Sequence, residues 1–216
     1  MKIDGIVFDL DGTLWDSTQV VSDSWGETLR RRYGADHWPD RDAVRSIMGM
    51  TASQIAETLF SEYGAEAEAV CRACIHGENE YLKDHCGDVY NGVDRMLSIL
   101  SERFPLFIVS NCLDGYIQCF LKATGFYKYI KDFESEGGSG LPKAGNIRLV
   151  CERNSVFHPI YIGDTEMDEK SAAEAGCPFV HVSYGFGRAL SPAAVAAHPE
   201  DLIDLISALE GRDSNA

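Results

Sequence analysis

Pro105-Leu-Phe-Ile-Val109 is the stretch that most narrows what this chain can fold into. It is apolar throughout, without the in-and-out alternation of a strand that has one wet face, so it reads as a strand buried on both sides. Ile6-Val-Phe8 reads as a second buried strand, Pro159-Ile-Tyr-Ile162 as a third and Pro178 to Val182 as a fourth, with a weaker one at Tyr129 to Phe133. Between them the period is helical: Val93, Met96, Leu97 and Leu100; then Ile117, Phe120 and Leu121, stopping at Gly125; then Ile147 and Val150; then Met167 to Ala175, stopping at Gly176. Strand and helix in this rhythm imply parallel pairing with right-handed crossovers. The expected fold class is α/β, a doubly wound, Rossmann-like parallel sheet.

One long stretch departs from that rhythm. From Ser17 to about Cys86 the period is helical without a strand: Val21, Trp25 and Leu29 are spaced by four up to Tyr33-Gly34, and Arg30-Arg31-Arg32 suits the C-terminus of that helix. Pro39 to Ile47 reads as a short helix. Thr51-Ala-Ser-Gln54 has the spacing of a capping box for a helix carrying Ile55 and Leu59, and another helix runs from about Ala65 toward Leu82. The expected organisation is an α/β core formed by residues 1–14 and 87–216, with an all-helical insertion at 15–86 and a frayed tail at Gly211 to Ala216.

In a doubly wound sheet ligands bind beyond the carboxyl ends of the strands. The residues that fall there are rich in oxygen: Asp9 and Asp11 after the first strand, Ser110 and Asn111 after the Pro105 strand, and Asp164 with Asp168 after the Pro159 strand. Residues i and i+2 of a strand share a side, so Asp9 and Asp11 can converge on one point. Two adjacent carboxylates suit a hard cation and a division between nucleophile and acid/base.

The formal charge of −15 argues against nucleic acid or an anionic membrane as partner, and no apolar run is long enough to span a bilayer. The same charge would attract Mg²⁺ and repel an anionic substrate, so a phosphate ligand needs a local cation such as Lys143. Seven cysteines, an odd number, with no signal-peptide pattern at the start, fit reduced thiols in a cytoplasm. Cys71-Arg-Ala-Cys74, with His76, His85 and Cys86 nearby, lacks the second CxxC of a zinc module, and its thiols read as core residues.

Asp9-Leu-Asp11-Gly12-Thr13, Ser110, Lys143 and Gly163-Asp164-Thr165-Glu166-Met167-Asp168 resemble, in order, the four motifs of the haloacid dehalogenase-like (HAD) superfamily. The helical stretch is similar to that superfamily's C1 cap, and the nearest subgroup is the phosphoglycolate phosphatase-like enzymes. The resemblance implies a Mg²⁺-dependent phosphatase of small phosphomonoesters. Asp9 would form an aspartyl-phosphate, and Asp11 would be the acid/base, its pKa held up by neighbouring negative charge. Ser110 and Lys143 would grip the phosphoryl oxygens, with backbone donors at Gly12, Thr13 and Asn111. Mg²⁺ would sit among Asp9, the Asp11 carbonyl and Asp164, with Asp168 ligating directly or through water. Lys143-Ala-Gly-Asn146 lacks the prolines usual after that lysine. The implied partner is a small phosphorylated metabolite, and the sequence leaves monomer and homodimer both open.

Two other readings stay open from the residues. A sugar phosphomutase of the β-phosphoglucomutase type uses the same Asp pair, and a non-catalytic phosphate-ligand sensor would retain it. The cap loop Arg45 to Thr51 should face the site, with Met48 and Met50 more in keeping with plain core than with a substrate wall.

Overall fold

A computed structural model describes residues 2–211. β1 (Gly5–Phe8) leads through a turn to the short β2 (Trp15–Asp16), and then to α1 (Thr18–Tyr33), α2 (Arg41–Ser46), α3 (Ala52–Leu59) and, after a 3-10 stretch at Ser61–Glu66, α4 (Ala67–Tyr81). β3 (Asp88–Val89) brings the chain back. Alternation then begins with α5 (Val93–Ser101), β4 (Leu106–Ser110), α6 (Tyr116–Thr124), β5 (Ile130–Ser135), the short α7 (Glu136–Ser139) and α8 (Lys143–Asn154). It continues with β6 (Pro159–Gly163), α9 (Glu166–Ala175), β7 (Phe179–Val182), β8 (Ala194–Ala196) and α10 (Asp201–Gly211).

The main sheet has the order β5-β4-β1-β6-β7-β8, and every pairing in it is parallel. β1 lies at its centre: Phe8 is level with Ile108 on one side and Ile162 on the other. The chain order diverges to either side of β1, which makes its carboxyl end a switch point of the expected doubly wound fold. Side chains alternate between the two faces. Ile6, Phe8, Ile108 and Ile162 pack with Met96, Phe120 and Leu202 of α5, α6 and α10, whereas Val7, Phe107, Val109 and Tyr161 pack with Ile147 and Val150 of α8 and Ala172 of α9. Both faces are covered, which explains why these strands are apolar at every position.

α1 to α4 have a core of their own, built from Val21, Trp25 and Leu29 of α1, Val44 of α2, Ile55 of α3 and Val70, Cys71 and Cys74 of α4, with Phe60 between. α1 ends at Gly34, whose φ of 67° is the left-handed cap conformation, with Arg30, Arg31 and Arg32 in its last turn. The capping box expected at Thr51 and Gln54 is present. The thiol of Cys71 donates to the Ala52 carbonyl at 3.5 Å, and burial pushes Cys71 up to about 11 and Cys74 up to about 12, as befits inert packing groups.

Several elements depart from expectation. The helical stretch is bracketed by two strands: β2 pairs antiparallel with β3, so the outgoing and returning chains form one small ribbon. β8 extends the sheet beyond β7. The glycine-rich stretch Gly137 to Gly140 is mostly the helical turn α7, because the Ser135 side chain accepts from the Gly138 N–H and caps it. Of the expected tail only Gly211 is described, as the last residue of α10; the remainder lies outside the described residues.

Candidate active site

Asp9 follows β1 directly, and its N–H donates to the Ile162 carbonyl at 2.8 Å, which fixes its backbone between β4 and β6. The chain then turns sharply: the N–H groups of Thr13 and Leu14 both donate to the Leu10 carbonyl, and that of Gly12 to the Trp15 carbonyl at 2.9 Å. Gly12 is required here. Its φ is +82°, and a Cβ would lie 2.3 Å from Asp164 Oδ2. The turn also corrects one expectation, because the Gly12 and Thr13 N–H groups are engaged within it and are not free as phosphate donors. Thr13 Oγ1 is buried without a hydrogen-bond partner.

Lys143 opens α8 and is 6% exposed. Its Nζ donates to Asp9 Oδ1 at 2.7 Å and to Asp168 Oδ1 at 2.6 Å. In place of the missing prolines, buried Asn146 shapes the preceding loop: its Nδ2 donates to the Leu141 carbonyl at 3.0 Å, and its Oδ1 accepts from the Ser139 hydroxyl at 2.6 Å. Asp168 has both oxygens engaged, Oδ1 by Lys143 and Oδ2 by the N–H and hydroxyl of Thr165. Thr165 and Asp168 form a capping box at the start of α9, so one acid both caps the helix and aims the lysine.

Asp164, at the end of β6, accepts the Phe186 N–H on Oδ2 at 2.6 Å, while its buried Oδ1 has no partner. Oxygens of Asp9, Asp164 and Asp168 all lie within 4.8 Å of one another. Hard carboxylate donors with one orphaned buried oxygen fit a hard divalent cation such as Mg²⁺.

Asp11 points away from this cluster. Its Oδ1 accepts from Trp15 Nε1 at 2.9 Å, the Ser17 hydroxyl at 2.5 Å and the Tyr116 hydroxyl at 3.0 Å, leaving Oδ2 as the oxygen able to carry a proton. Burial holds the Asp11 carboxyl above its usual range against those three hydrogen bonds. The cause is therefore desolvation, not the neighbouring negative charge expected from the sequence. Burial likewise raises Asp9 well above its ordinary value, against the pull of Lys143, and raises Asp164 to about 7, with Asp168 adding to it. In Asp168 burial is outweighed by the charge of Lys143, and the carboxyl falls below its ordinary value. Burial works against charge on Lys143 too, but Asp168 and Asp9 prevail and hold the ammonium well above its usual range.

These groups form the floor of a cavity of about 370 Å³, with Ser110 and Asn111 on its β4 side. Ser110 Oγ accepts weakly from the Cys112 N–H at 3.4 Å, and buried Asn111 Oδ1 has no partner. The cap supplies the other wall: Val21 and Trp25 from α1, the loop from Ile47 to Ala52, and Ile75 and Glu78 from α4. Met48 and Met50 pack against the cap core, as expected, and also line this cavity. Trp15, Ser17 and Tyr116, which hold Asp11, and Glu78 were not singled out from the sequence. For Trp15 and Ser17 the signal was their place directly after the first motif; for Tyr116 and Glu78 there was none.

Residues 6–182 match the haloacid dehalogenase-like hydrolase family model. A phosphoglycolate phosphatase from Rhodobacter capsulatus is 30% identical over 214 residues, covering 95% of this chain and 94% of that protein. A pyrophosphatase from Anoxybacillus flavithermus is 24% identical, with 85% of each chain covered. Among solved structures, a haloacid dehalogenase-like family hydrolase from Streptococcus pneumoniae superposes with a TM-score of 0.79 at 24% identity, covering 94% of this chain and 98% of the other. The chain belongs to the haloacid dehalogenase-like hydrolases, as a phosphoglycolate phosphatase-like member and a phosphoric monoester hydrolase.

Proposed function

We propose that this enzyme hydrolyses a small phosphomonoester in a Mg²⁺-dependent reaction through an aspartyl-phosphate on Asp9. The observation that carries the reading is the floor of the cavity, where Lys143 is bonded to Asp9 beside an Asp164 oxygen that has no partner. An Asp9 oxygen attacks phosphorus while the bond to the leaving alcohol breaks, and Asp11 gives that alcohol its proton from Oδ2. Asp11 then takes a proton from water as the water oxygen attacks the aspartyl-phosphate, and the bond to Asp9 breaks to release phosphate. Lys143 and Ser110 hold the phosphoryl oxygens, where charge accumulates.

Asp9 and Asp164, with the Asp11 carbonyl, would hold Mg²⁺, and the ion would supply charge neutralisation of the phosphoryl group. Asp168, with both oxygens already bonded, acts by aiming Lys143. Residues 15–86 serve as a cap that closes over the cavity on the β2 and β3 linkers and excludes water during transfer. Seven free thiols with no disulfide support a reducing, cytoplasmic setting.

Phosphate release from a panel of phosphomonoesters tests this reading. EDTA should abolish turnover and added Mg²⁺ restore it, and Asp9→Asn should lower kcat by at least ~10³-fold while leaving the circular dichroism spectrum intact. Turnover indifferent to EDTA, or near wild-type rates in Asp9→Asn, would remove the proposed site.

A further inference from the structure

Glu78 is a carboxylic acid buried where the cap meets the core, at 8% exposure. The proposed reaction gives it no task. It lies on α4, and its Oε1 accepts from Trp25 Nε1 at 2.6 Å, while Oε2 has no hydrogen-bond partner among the described residues. It lines the same cavity as Asp11 and Tyr116, so it stands on the side where the leaving alcohol departs. Its other neighbours on that wall are Trp25, Ile47, Met50, Ile55 and Ile75.

The wall also lacks positive charge. Lys143 is the one cation lining the cavity among the described residues, and both Asp9 and Asp168 already hold it. Arg45, in the neighbouring cap segment, does not line the cavity: its guanidinium donates to the Gly185 carbonyl at 3.0 Å and lies 5.2 Å over the Phe186 ring. A second anion on the substrate would be seated against apolar side chains and an acid, with no cation to offset its desolvation. Burying such a charge unpaired costs several kcal/mol. A hydroxyl, in contrast, is a partner that the free Oε2 can satisfy in either protonation state.

We propose that Glu78 is a specificity-determining residue, and that the substrate is a phosphomonoester whose leaving alcohol carries no second anionic group, only an apolar body and an uncharged hydrogen-bonding end. This rests on the phosphatase reading and sharpens it, because it sets this enzyme apart from relatives whose names give a carboxylate ester or a diphosphate as substrate. It also weighs against a phosphomutase acting through a bisphosphate, since the second phosphate would occupy the same wall.

The test compares two esters of similar length, 2-hydroxyethyl phosphate and 2-phosphoglycolate, in wild-type enzyme and Glu78→Gln with saturating Mg²⁺. Glutamine is close in shape and keeps an acceptor for Trp25, and the wild-type comparison requires no variant at all. In wild type, kcat/KM should favour the hydroxyl ester by at least about tenfold. In Glu78→Gln that preference should shrink several-fold, chiefly through a lower KM for the carboxylate ester, a split that a purely structural role would not produce. A wild-type preference for 2-phosphoglycolate, or a ratio unchanged by Glu78→Gln, overturns the inference while leaving the phosphatase in place. Turnover of neither these esters nor any other phosphomonoester overturns the phosphatase reading, and this inference with it.

Discussion

The two walls of the cavity are built on opposite principles. The floor, at the carboxyl ends of β1, β4 and β6, is a dense set of charges held by hydrogen bonds to one another and to rigid strands. The cap wall is apolar, comes from helices and a loop, and contains a single acid. On the proposed reading, the contrast separates the parts of one reaction in the chain: the sheet would fix the phosphoryl end, and the insertion would choose among alcohols.

The largest effect should come from breaking the floor. Lys143→Met removes the partner of two buried acids, so kcat should fall about 10²- to 10³-fold. The melting temperature should fall as well, because leaving buried carboxylates uncompensated costs about 3–5 kcal/mol. Thermal melts should show Mg²⁺ recovering part of that loss; a stable, active Lys143→Met would deny the floor its electrostatic character.

A smaller effect separates the acid of the cap wall from those of the floor. Burial, with the charge of Asp11 adding to it, raises Glu78 to about 8 from an ordinary value of 4.5. A folded-state pKa raised in this way means stability that is full below the unfolded value and is lost as pH rises through the folded one. Wild type should therefore lose stability between about pH 4.5 and 8 relative to Glu78→Gln, with the gap growing to at most roughly 5 kcal/mol above pH 8. Denaturant melts of both proteins across that range measure it, and parallel pH profiles would mean that Glu78 ionises freely. The smallest effect belongs to the apolar lining: Met50→Ala should raise KM by less than about tenfold with kcat little changed, as expected when one apolar contact is lost. A drop in kcat alone would place Met50 with the chemistry instead.

The sequence is legible where one physical cause acts locally. Strands covered on both faces are apolar at every position, and the acids at their ends have no structural reason to recur, so the sheet and its floor could be read from Ile6-Val-Phe8 and Asp9 onward. Where the cause is tertiary, legibility fails. β2 and β3 are two residues each, too short for any period, and Ala194–Ala196 has little β-branched character. Glu78 sits in Glu78-Asn79-Glu80, which reads as a solvated face until α4 is laid across α1 and α6. Asp11 shows the same limit. Its raised pKa was anticipated, but burial supplies it, and burial depends on the placement of Trp15 and Tyr116, which the spacing of the motif does not encode.

The ribbon formed by β2 and β3 joins those two worlds. Trp15 belongs to β2, pairs with Val89 on the returning linker and donates its indole N–H to Asp11. The two linkers are therefore not independent strings: paired with each other, they form one joint between the insertion and the sheet. Ser17, which leads into α1, holds the same Asp11 oxygen, so the carboxyl proposed as acid is bonded to both ends of the joint between insertion and sheet.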